Sequence, residues 1–497
     1  MNCFPITRRR TVRPRRDFVG RLVLLAAVLA SFSPVEGWAR ADTLGRKIDA
    51  IFADVSDPAG PGCAVGVATQ DGLIFQRGYG SANLDDGIPI GPDTVFDIAS
   101  TSKQFTAASI ALLAQSGKVD LDGDIHRYLP DLPTYGKTVT VRHLLTHTGG
   151  IPDPYAVVEA LTGDEDGNFY PSELTLQLLR KMDKLEFEPG TKFEYSNAGY
   201  LLLAEIVERV SGQSLRKFAE QNIFAPLGMT HTHFHDDHRE IVKHRAHGYS
   251  KRDDGSWAVK DSNFYVVGDG GVYTTVADLA VWNANFSDNK LPGGQALIKL
   301  MEMPATYLDG RPKAGGSLAG IDFDYSLGLI QWRYNENRVI GHLGGWAGFA
   351  SGVARFPDRK FTVIALCNFR TQTVLKRMHQ VADAVLTLEK GGAGGTHGPN
   401  DPMRGVYGNT IVVTMPDGNE LKVYYNEDRT YSYSNGDSGA WFINKDGKLC
   451  LPDPKSGVES PAQCDPILPN LGVGSEWDKT MGSGAKLHIR VVEGRSP

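Results

Sequence analysis

The sequence has no marked excess of either charge and contains few cysteines. Its 497 residues include 52 lysines and arginines against 58 aspartates and glutamates, which gives a net charge of −6. Proteins that bind the phosphates of DNA or RNA usually carry a basic excess, so we expect no nucleic-acid partner. Five cysteines are too few for a disulfide-rich scaffold. With 41% hydrophobic residues, the chain is long enough for two or three folded domains.

The sequence also lacks the patterns that hold common cofactors. No Walker or Rossmann glycine pattern is present, which argues against a nucleotide cofactor. No group of histidine, cysteine, aspartate and glutamate residues has the spacing of a metal site. We therefore expect no cofactor and no metal ion, and a small molecule as the binding partner.

Residues 1–41 are predicted to be an export signal. The apolar run 22–30 follows a segment that contains Arg8, Arg9, Arg10, Arg13, Arg15 and Arg16. That run is too short to cross a bilayer, which disfavours a permanent membrane anchor. Ala39 and Ala41 form a small-x-small cleavage site, and the string around Arg15 and Arg16 resembles a twin-arginine signal. We expect the mature protein in the periplasm or secreted, without stable membrane insertion.

The cysteines fit an exported protein. Cys450 and Cys464 flank a loop rich in proline and glycine and are predicted to form a local disulfide. Such a crosslink contributes about 3 kcal/mol on the chain-entropy model. Cys63 and Cys367 each lie in a short β-type run. The sequence leaves open whether these two are bonded neighbours or buried free thiols.

The order of predicted elements indicates an α/β layer and an all-α region with a cleft between them. A hairpin over 62–80 precedes an apolar helix. Strands return after Leu318, over 326–334, 338–342, 349–356 and 361–367, before a closing helix over 372–388. Between these parts, residues 119–300 read as a mostly helical insertion. Residues 390–402 form a glycine-rich linker by composition. Residues 403–497 read as short strands of a small antiparallel barrel or sandwich, over 409–415, 421–426, 430–434, 440–444, 448–451 and 486–492. The first folded unit is thus predicted over 42–389.

A candidate nucleophile lies at the start of the apolar helix. Ser100 and Lys103 are three residues apart, which places both side chains on one helical face. A neutral lysine amine can take the serine proton, and the helix N-terminus favours a developing oxyanion. The motif alone is weak, because Ser-x-x-Lys also occurs at Ser214, Ser287 and Ser483. Only Ser100 opens a helix apolar enough to be buried.

Tyr195 and Asn197 form a second candidate group, just before another apolar helix. A tyrosine near a lysine ammonium can act as a base, and an asparagine amide can bind a substrate carbonyl. Taken alone, Tyr195 is equally compatible with a buried, hydrogen-bonded phenol. The same Tyr-x-Asn pattern at Tyr424 and Tyr433 falls on predicted strands of the last domain.

A third group is His342, Gly344 and Gly345. A strand that has lost its side chains lets a substrate lie against its backbone. The alternative for His342 alone is a satisfied histidine at the surface. A competing His-x-Gly pattern begins at His147, but it lies between predicted helices and offers no strand edge.

Together, Ser100-x-x-Lys103, Tyr195-x-Asn197 and His342-x-Gly344 resemble the motifs of the class C β-lactamase and penicillin-binding serine hydrolase superfamily. The order of the motifs and their spacings also match. Four further strings are similar to that superfamily: 143–151, 211–214, 226–230 and 270–279. The resemblance covers roughly residues 45–388 and implies a β-lactamase/transpeptidase-like catalytic domain, an antiparallel sheet with flanking helices.

One departure from the superfamily concerns charge. Its β-lactamases carry Lys-Thr-Gly where this chain has His342-Leu-Gly344, so a fixed positive charge for a substrate carboxylate is missing. His-x-Gly and an added β domain are similar to the D-aminopeptidase and esterase branches. The resemblance therefore implies a peptidase on short peptides or amides that contain D-residues. A carboxylesterase, a weak β-lactamase and a slow penicillin-binding or sensing protein remain alternatives.

The resemblance also implies roles for the site residues. Ser100 forms an acyl-enzyme, and Lys103 and Tyr195 share the proton transfer, with the identity of the base left open. The backbone N–H groups of Ser100 and Gly345 form the oxyanion hole, and Asn197 orients the substrate. No metal takes part. Formation of a homodimer is left open.

Overall fold

The computed structural model describes residues 34–162, 172–310, 315–318, 321–393, 406, 409–425, 430–434, 438–440, 442–443, 448–451, 463–466, 473–480 and 486–493. The helices in these ranges are α1 (Pro34–Ile51), α2 (Lys103–Gln115), α3 (Val141–Leu145), α4 (Pro154–Thr162), α5 (Ser172–Leu179), α6 (Asn197–Ser211), α7 (Leu215–Ala219), α8 (Ala225–Leu227), α9 (Val276–Asn285), α10 (Gly294–Met301) and α11 (Val374–Ala393). Within the same ranges, no helix combines the length and the apolar character needed to span a bilayer.

The strands fall into an early, a middle and a late group. The first group is β1 (Cys63–Thr69), β2 (Gly72–Tyr79), β3 (Ser81–Asn83), β4 (Ile88–Pro89), β5 (Phe96–Asp97), β6 (His233–Phe234), β7 (Tyr249–Lys251), β8 (Trp257–Val259) and β9 (Val272–Thr274). The second is β10 (Gly315–Leu318), β11 (Ile321–Tyr325), β12 (Ile330–Tyr334), β13 (Asn337–Trp346), β14 (Phe349–Phe356) and β15 (Phe361–Cys367). The third is β16 (Thr410–Thr414), β17 (Glu420–Tyr425), β18 (Thr430–Tyr433), β19 (Ser438–Ala440), β20 (Phe442–Ile443), β21 (Lys448–Leu451), β22 (Gln463–Pro466), β23 (Glu476–Thr480) and β24 (Lys486–Val492).

An antiparallel sheet of eight strands organises residues 63–367. Its order is β10-β11-β12-β13-β14-β15-β1-β2, so the N-terminal hairpin closes onto the last strand of the series. Every residue of β14 and β15 is buried. The reason is that helices cover both faces: α11 packs on β14 and β15 together with α1, and α9 packs on β1 and β15 from the other side. Apolar runs without alternation are typical of strands covered in this way.

The helical region lies on the α9 side of the sheet. Helix α2 contacts α6, α7 and α10, and almost all of its residues are buried. Phe105, in its first turn, packs against Phe224 and Trp282. The prediction that 119–300 is mostly helical holds only in part, because the short strands β6 to β9 lie in the same stretch. Strands of two or three residues leave too short a pattern to be predicted.

The strands after residue 409 have a small core of their own. Six of them form a sheet in the order β19-β18-β17-β16-β24-β23, and β20, β21 and β22 form another. Val406, Ile411, Val423, Ile489 and Val491 are buried together. This agrees with the predicted antiparallel β architecture, although β22 and β23 were not predicted.

Several helices and strands begin or end at residues other than the predicted ones. Helix α1 begins at Pro34, eight residues before the predicted start of the folded unit at 42, and α11 continues to Ala393, into the predicted linker. The strand prediction for 326–334 is too long at its start, because β12 begins at Ile330. Strands β14, β15 and β24 have the predicted bounds.

Cys63 and Cys367 form a disulfide, which decides between the two alternatives that the sequence leaves open. They are opposite residues of the neighbouring strands β1 and β15. Cys450 and Cys464 are also directly opposite, on β21 and β22. Their side chains lie outside the described residues, so this disulfide stays a prediction.

Replacing both Cys63 and Cys367 by alanine is expected to lower the free energy of unfolding by about 2–5 kcal/mol, because the bond closes a long loop in the unfolded chain. Urea denaturation of the wild type and the double variant measures this difference. A reducing agent should destabilise the wild type by more than the double variant, which retains only the predicted Cys450–Cys464 disulfide. Equal stabilities of the oxidised wild type and the double variant would contradict the prediction.

Candidate active site

Ser100 lies in a strained turn just before α2, and not in the helix itself. The turn, Ala99–Ser102, is 3₁₀-helical and joins β5 to α2. Ala99 has a φ of +48°, a left-handed conformation that is uncommon for residues other than glycine. The Asp97 carboxylate accepts a hydrogen bond from the Ala99 N–H at 2.8 Å, and burial raises the pKa of Asp97 to about 7. Strain of this kind persists where the surroundings fix the backbone, often at functional sites.

Strands β13 and β14 pack against the turn that carries Ser100. The Ser351 hydroxyl donates to the Ile98 carbonyl at 2.7 Å and lies 2.8 Å from the Thr101 hydroxyl. A Cβ atom added at Gly344 would lie 2.3 Å from the same Ile98 carbonyl oxygen. Gly344 is therefore required because only glycine lets β13 approach the turn so closely.

Lys103 is fully buried and points back at Ser100. Its Nζ donates to Ser100 Oγ at 3.1 Å, to Asn197 Oδ1 at 2.9 Å and to the Asp269 backbone carbonyl at 2.6 Å. Three acceptors match the three N–H groups of an ammonium. The arrangement therefore holds a positive charge beside the Ser100 hydroxyl, where it stabilises a developing alkoxide.

Asn197 orients Lys103 and is itself oriented by Asp153. The Asn197 side-chain NH₂ and backbone N–H both donate to Asp153 Oδ2, at 2.9 and 2.8 Å. Asp153 Oδ1 accepts from the backbone N–H of Tyr155. The sequence analysis did not single out Asp153.

Asp269 is a second acidic residue that the sequence did not indicate. It is buried beneath Lys103 and accepts a hydrogen bond from the Tyr155 hydroxyl at 3.0 Å. Burial raises its pKa to about 6, although the nearby Lys103 charge opposes the rise. The surroundings of Lys103 thus hold more acidic groups than the three motifs alone suggest.

Tyr195 lies beside Lys103. Lys103 Nζ is 4.9 Å from the centre of the Tyr195 ring. The side chain is 38% exposed, so the alternative of a buried, hydrogen-bonded phenol is wrong. This exposure is compatible with a role of Tyr195 in proton transfer, because catalytic hydrogen bonds are often loose before substrate binds.

His342 is buried and neutral, and the alternative of a surface histidine is wrong. It is 2% exposed. Its Nδ1–H donates to the Leu343 carbonyl at 2.6 Å, and its Nε2 accepts from the Tyr325 hydroxyl at 3.2 Å. Burial and the Lys103 charge lower the pKa of His342 to about 3. Both ring nitrogens are thus occupied within the protein, and no positive charge stands at this position.

Residues 342–345 of β13 form an edge with which no described strand pairs on the β12 side. Strand β12 pairs with β13 only as far as Gly341, whereas β14 pairs with it through Trp346. Nothing lies within 4 Å of the position that a Cβ atom of Gly345 would occupy. An extended substrate can therefore lie along residues 342–346 and reach Ser100.

Two cavities meet at this edge. The larger, of about 330 Å³, is lined by Asp153, Tyr155, Ala156, Glu159, Asn197, Gly345, Trp346 and Arg370. The smaller lies on the Ser100 side and has aromatic walls from Tyr155, Phe264, Tyr273 and Trp346. Tyr155 and Trp346 line both, so the two cavities form one cleft around Ser100.

The other Ser-x-x-Lys patterns have no such setting. The Ser214 side chain accepts from the Lys217 backbone N–H and caps α7, while Lys217 is exposed. The Lys290 ammonium pairs with Asp288 at the surface. Ser483 lies outside the described residues.

The structure also brings together His233, His235 and Glu240, whose ligand atoms lie within 4.8 Å of one another. The sequence analysis missed this group, although His233-x-His235 was a visible signal. Arg216 donates to both carboxylate oxygens of Glu240, at 2.6 and 2.8 Å. The Arg216 guanidinium already neutralises the Glu240 carboxylate, which a metal ion would need as a ligand. These residues therefore fit a metal ion poorly.

Replacing His342 by glutamine is expected to stabilise the protein progressively, relative to the wild type, as the pH falls from about 6.5 to 4. An unfolded histidine binds a proton near pH 6.5, whereas the folded His342 does not until about pH 3. In this window the unfolded wild type binds more protons, so its stability falls with falling pH by up to about 1.4 kcal/mol per pH unit for this group.

Denaturant unfolding of both proteins at pH 7, 6, 5 and 4 measures this effect. The difference between the two proteins is the informative quantity, since the raised pKa values of Asp97 and Asp269 act in the opposite direction. His231→Gln at an exposed position serves as the control. A difference between His342→Gln and the wild type that does not change with pH would contradict the neutral, buried state of His342.

The comparison with protein families is decisive at this point. The beta-lactamase family model matches residues 48–386, most of the chain. The chain belongs to the beta-lactamase family. The matched range contains Ser100, Lys103, Tyr195, Asn197 and His342. The fold is accordingly the β-lactamase/transpeptidase-like fold, with a further β-rich region at the C-terminal end of the chain.

Individual relatives agree with this assignment. Penicillin-binding protein 4* of Bacillus subtilis (strain 168) is 30% identical over 315 residues, which cover 61% of this chain and 66% of that protein. The D-amino acid amidase of Ochrobactrum anthropi SV3, solved with L-phenylalanine amide, is 25% identical with a TM-score of 0.58 and covers 70% of this chain and 99% of its own. The octameric penicillin-binding protein homologue of Pyrococcus abyssi covers 92% of this chain and all of its own, with a TM-score of 0.59 at 22% identity. This last likeness concerns the fold.

Proposed function

We propose that the protein is an exported serine hydrolase that cleaves short peptides or amides of D-amino acids through an acyl-enzyme on Ser100. Residues 1–41 serve as the export signal, which delivers the protein to the periplasm or the medium. Residues 42–389 form the hydrolase, 390–402 the linker and 403–497 the C-terminal β domain.

The chemistry follows from the arrangement of the side chains. Ser100 Oγ attacks the substrate carbonyl carbon, and its proton passes to Tyr195 as a phenolate or to Lys103 as a neutral amine, the base being whichever of the two is deprotonated. The N–H groups of Ser100 and Gly345 bind the oxyanion. The amine leaves with the transferred proton, and a water molecule then attacks the acyl ester and restores Ser100. Asn197 fixes the position of the Lys103 side chain during these steps.

The observation that carries the choice of substrate is the state of His342. A β-lactam or a peptide with a C-terminal carboxylate gains from a fixed positive charge at this position. His342 is buried, neutral and hydrogen-bonded through both ring nitrogens. The carboxylates of Asp153 and Glu159 line the cleft, together with Arg370. Position 342 therefore offers no cation to a substrate carboxylate. The carboxylates that line the cleft can instead bind a substrate ammonium group.

The likeness to a D-amino acid amidase supports this choice. The likeness to penicillin-binding protein 4* favours a second candidate, a protein that is acylated by β-lactams and then stalls. Pre-steady-state kinetics separate the two. A binding protein gives one stoichiometric burst with nitrocefin and no turnover, whereas a hydrolase continues after the burst.

A panel of matched substrates tests the proposal. It contains D-phenylalanine p-nitroanilide, its L-isomer, its N-acetyl derivative, p-nitrophenyl acetate and nitrocefin, each assayed with the wild type and with Ser100→Ala. We expect the free D-isomer to have the highest kcat/KM and to exceed the L-isomer by at least about tenfold, a difference of about 1.4 kcal/mol in transition-state binding. Equal rates for both isomers, or nitrocefin or the ester as the best substrate, would overturn the assignment.

Introducing a charge by His342→Lys is expected to increase acylation by nitrocefin by about tenfold or more, because an ion pair in a partly buried site contributes on the order of 1–3 kcal/mol. The same change should not improve the D-phenylalanine substrate. His342→Gln, which adds no charge, is the control. An unchanged nitrocefin rate in a folded His342→Lys variant would show that another feature sets the preference.

A further inference from the structure

Tyr195 needs an external support for its position. It lies in the irregular segment between residues 191 and 196, just before α6, and its side chain is partly exposed. Among the described residues, none forms a hydrogen bond with its hydroxyl. A phenol that takes part in proton transfer with Ser100 has to be held within a fraction of an ångström of its productive position.

His147 contacts the Tyr195 segment on both sides. Its backbone carbonyl accepts from the Glu194 N–H at 2.9 Å, and its Nδ1 accepts from the Ser196 N–H at 3.2 Å. The two hydrogen bonds therefore flank Tyr195 directly in the sequence. The His147 ring also packs on the Tyr195 ring, with 4.3 Å between the ring centres.

The backbone of His147 is adapted to this task. Its φ is +55°, a left-handed conformation that a residue with a side chain rarely adopts. This conformation lets one residue present both its carbonyl and its ring nitrogen to the same neighbouring segment. Strain of this kind is retained where the surrounding structure requires it.

The charge state of His147 is also fixed. Because Nδ1 accepts a hydrogen bond, the ring proton resides on Nε2, which is buried and has no hydrogen-bond partner among the described residues. Burial, Lys103 and His342 hold the pKa of His147 well below its usual value. The ring is thus a neutral support that adds no charge beside Lys103.

We infer that His147 is the positioning residue for Tyr195, which it holds through the two flanking hydrogen bonds and the ring contact. The inference rests on the proposed role of Tyr195 in proton transfer and not on the identity of the substrate. His147 itself does not touch the reacting atoms, and its effect on catalysis passes through Tyr195.

Two amide variants separate the elements of this support. In His147→Asn, the Oδ1 atom stands near the place of Nδ1, and asparagine tolerates a positive φ better than most residues. In His147→Gln, the amide is one methylene further out, so the Ser196 N–H loses its acceptor. We expect His147→Gln to slow the phosphonylation of Ser100 by a fluorophosphonate probe, which serves as the measure of the acylation rate, about 10- to 100-fold, by analogy with the effect of misplaced catalytic groups. His147→Asn should recover most of the rate.

A double-mutant cycle distinguishes positioning from general stabilisation. Tyr195→Phe should slow acylation by about 10²–10⁴, the usual contribution of a proton-transfer group. In the Tyr195→Phe background, His147→Gln should cost less than about twofold more, because the residue that it positions is already lost. His143→Gln is the control, since His143 Nδ1 accepts a comparable hydrogen bond from the Thr140 N–H within α3. It should lower stability without changing the acylation rate.

Each outcome has a defined meaning. A loss from His147→Gln that is equal in both backgrounds would show a structural effect only and overturn the inference, while the proposed catalytic roles would stand. An acylation rate unaffected by Tyr195→Phe would overturn the proposed mechanism and the inference together. A loss in the wild-type background that disappears in the Tyr195→Phe background supports the inference.

Discussion

Ser100→Ala is expected to abolish both labelling by a fluorophosphonate probe and substrate turnover. The hydroxyl of Ser100 accepts a hydrogen bond from the buried Lys103 ammonium, and the turn that carries it contacts β13. Loss of the nucleophile in a well-studied serine protease costs about 10⁶-fold in kcat, and a comparable loss is expected in this case.

The second Ser-x-x-Lys pattern offers a matched control for this experiment. Ser214 has the same spacing to Lys217, but its side chain caps α7. Ser214→Ala should keep both labelling and turnover, with at most about 2 kcal/mol lost from stability through the missing cap. Label on Ser214 or Ser287, or turnover that survives Ser100→Ala, would contradict the assignment of the nucleophile.

Lys103→Met is expected to be almost as damaging as the loss of Ser100. Methionine has a similar length but cannot donate to Ser100 Oγ, Asn197 Oδ1 or the Asp269 carbonyl, so three acceptors lose their donor. We expect the probe to phosphonylate Ser100 at least about 10³-fold more slowly, within the range for proton-transfer groups. Circular dichroism and the unfolding midpoint establish that the variant is folded. Lys217→Met provides the control at the same motif spacing.

A double variant tests whether Lys103 and Tyr195 act as one proton-transfer unit. Groups that act as one unit are strongly non-additive when they are removed together. Lys103→Met combined with Tyr195→Phe should therefore be little slower than Lys103→Met alone. Losses that add on a logarithmic scale would mean that the two residues act independently.

The central part of the site was predictable from the sequence because its chemistry lies in short motifs. Ser100 and Lys103 are one helical turn apart, and Gly344 and Gly345 interrupt a strand pattern. Local spacing of this kind survives into the structure. The strands β14 and β15 were predicted with their bounds because their apolar runs are continuous.

Other features depend on contacts between distant segments and could not be predicted. Asp153 is 44 residues from Asn197 in the chain, and nothing near it indicates that it orients this amide. The burial of His342 depends on Tyr325 and on the packing of two strands. The backbone strain at Ala99 and His147 has no signal in the residue types, since both are ordinary residues in helical surroundings.

The most direct test of the account is to trap the intermediate itself. Wild-type protein is mixed with D-phenylalanine p-nitroanilide, quenched in acid within the first turnovers and digested for mass spectrometry. The account predicts a phenylalanyl ester on the peptide that contains Ser100, formed in step with a burst of p-nitroaniline and then consumed. Steady turnover of this substrate with no acyl group on Ser100, or an acyl group on another residue, would contradict the account.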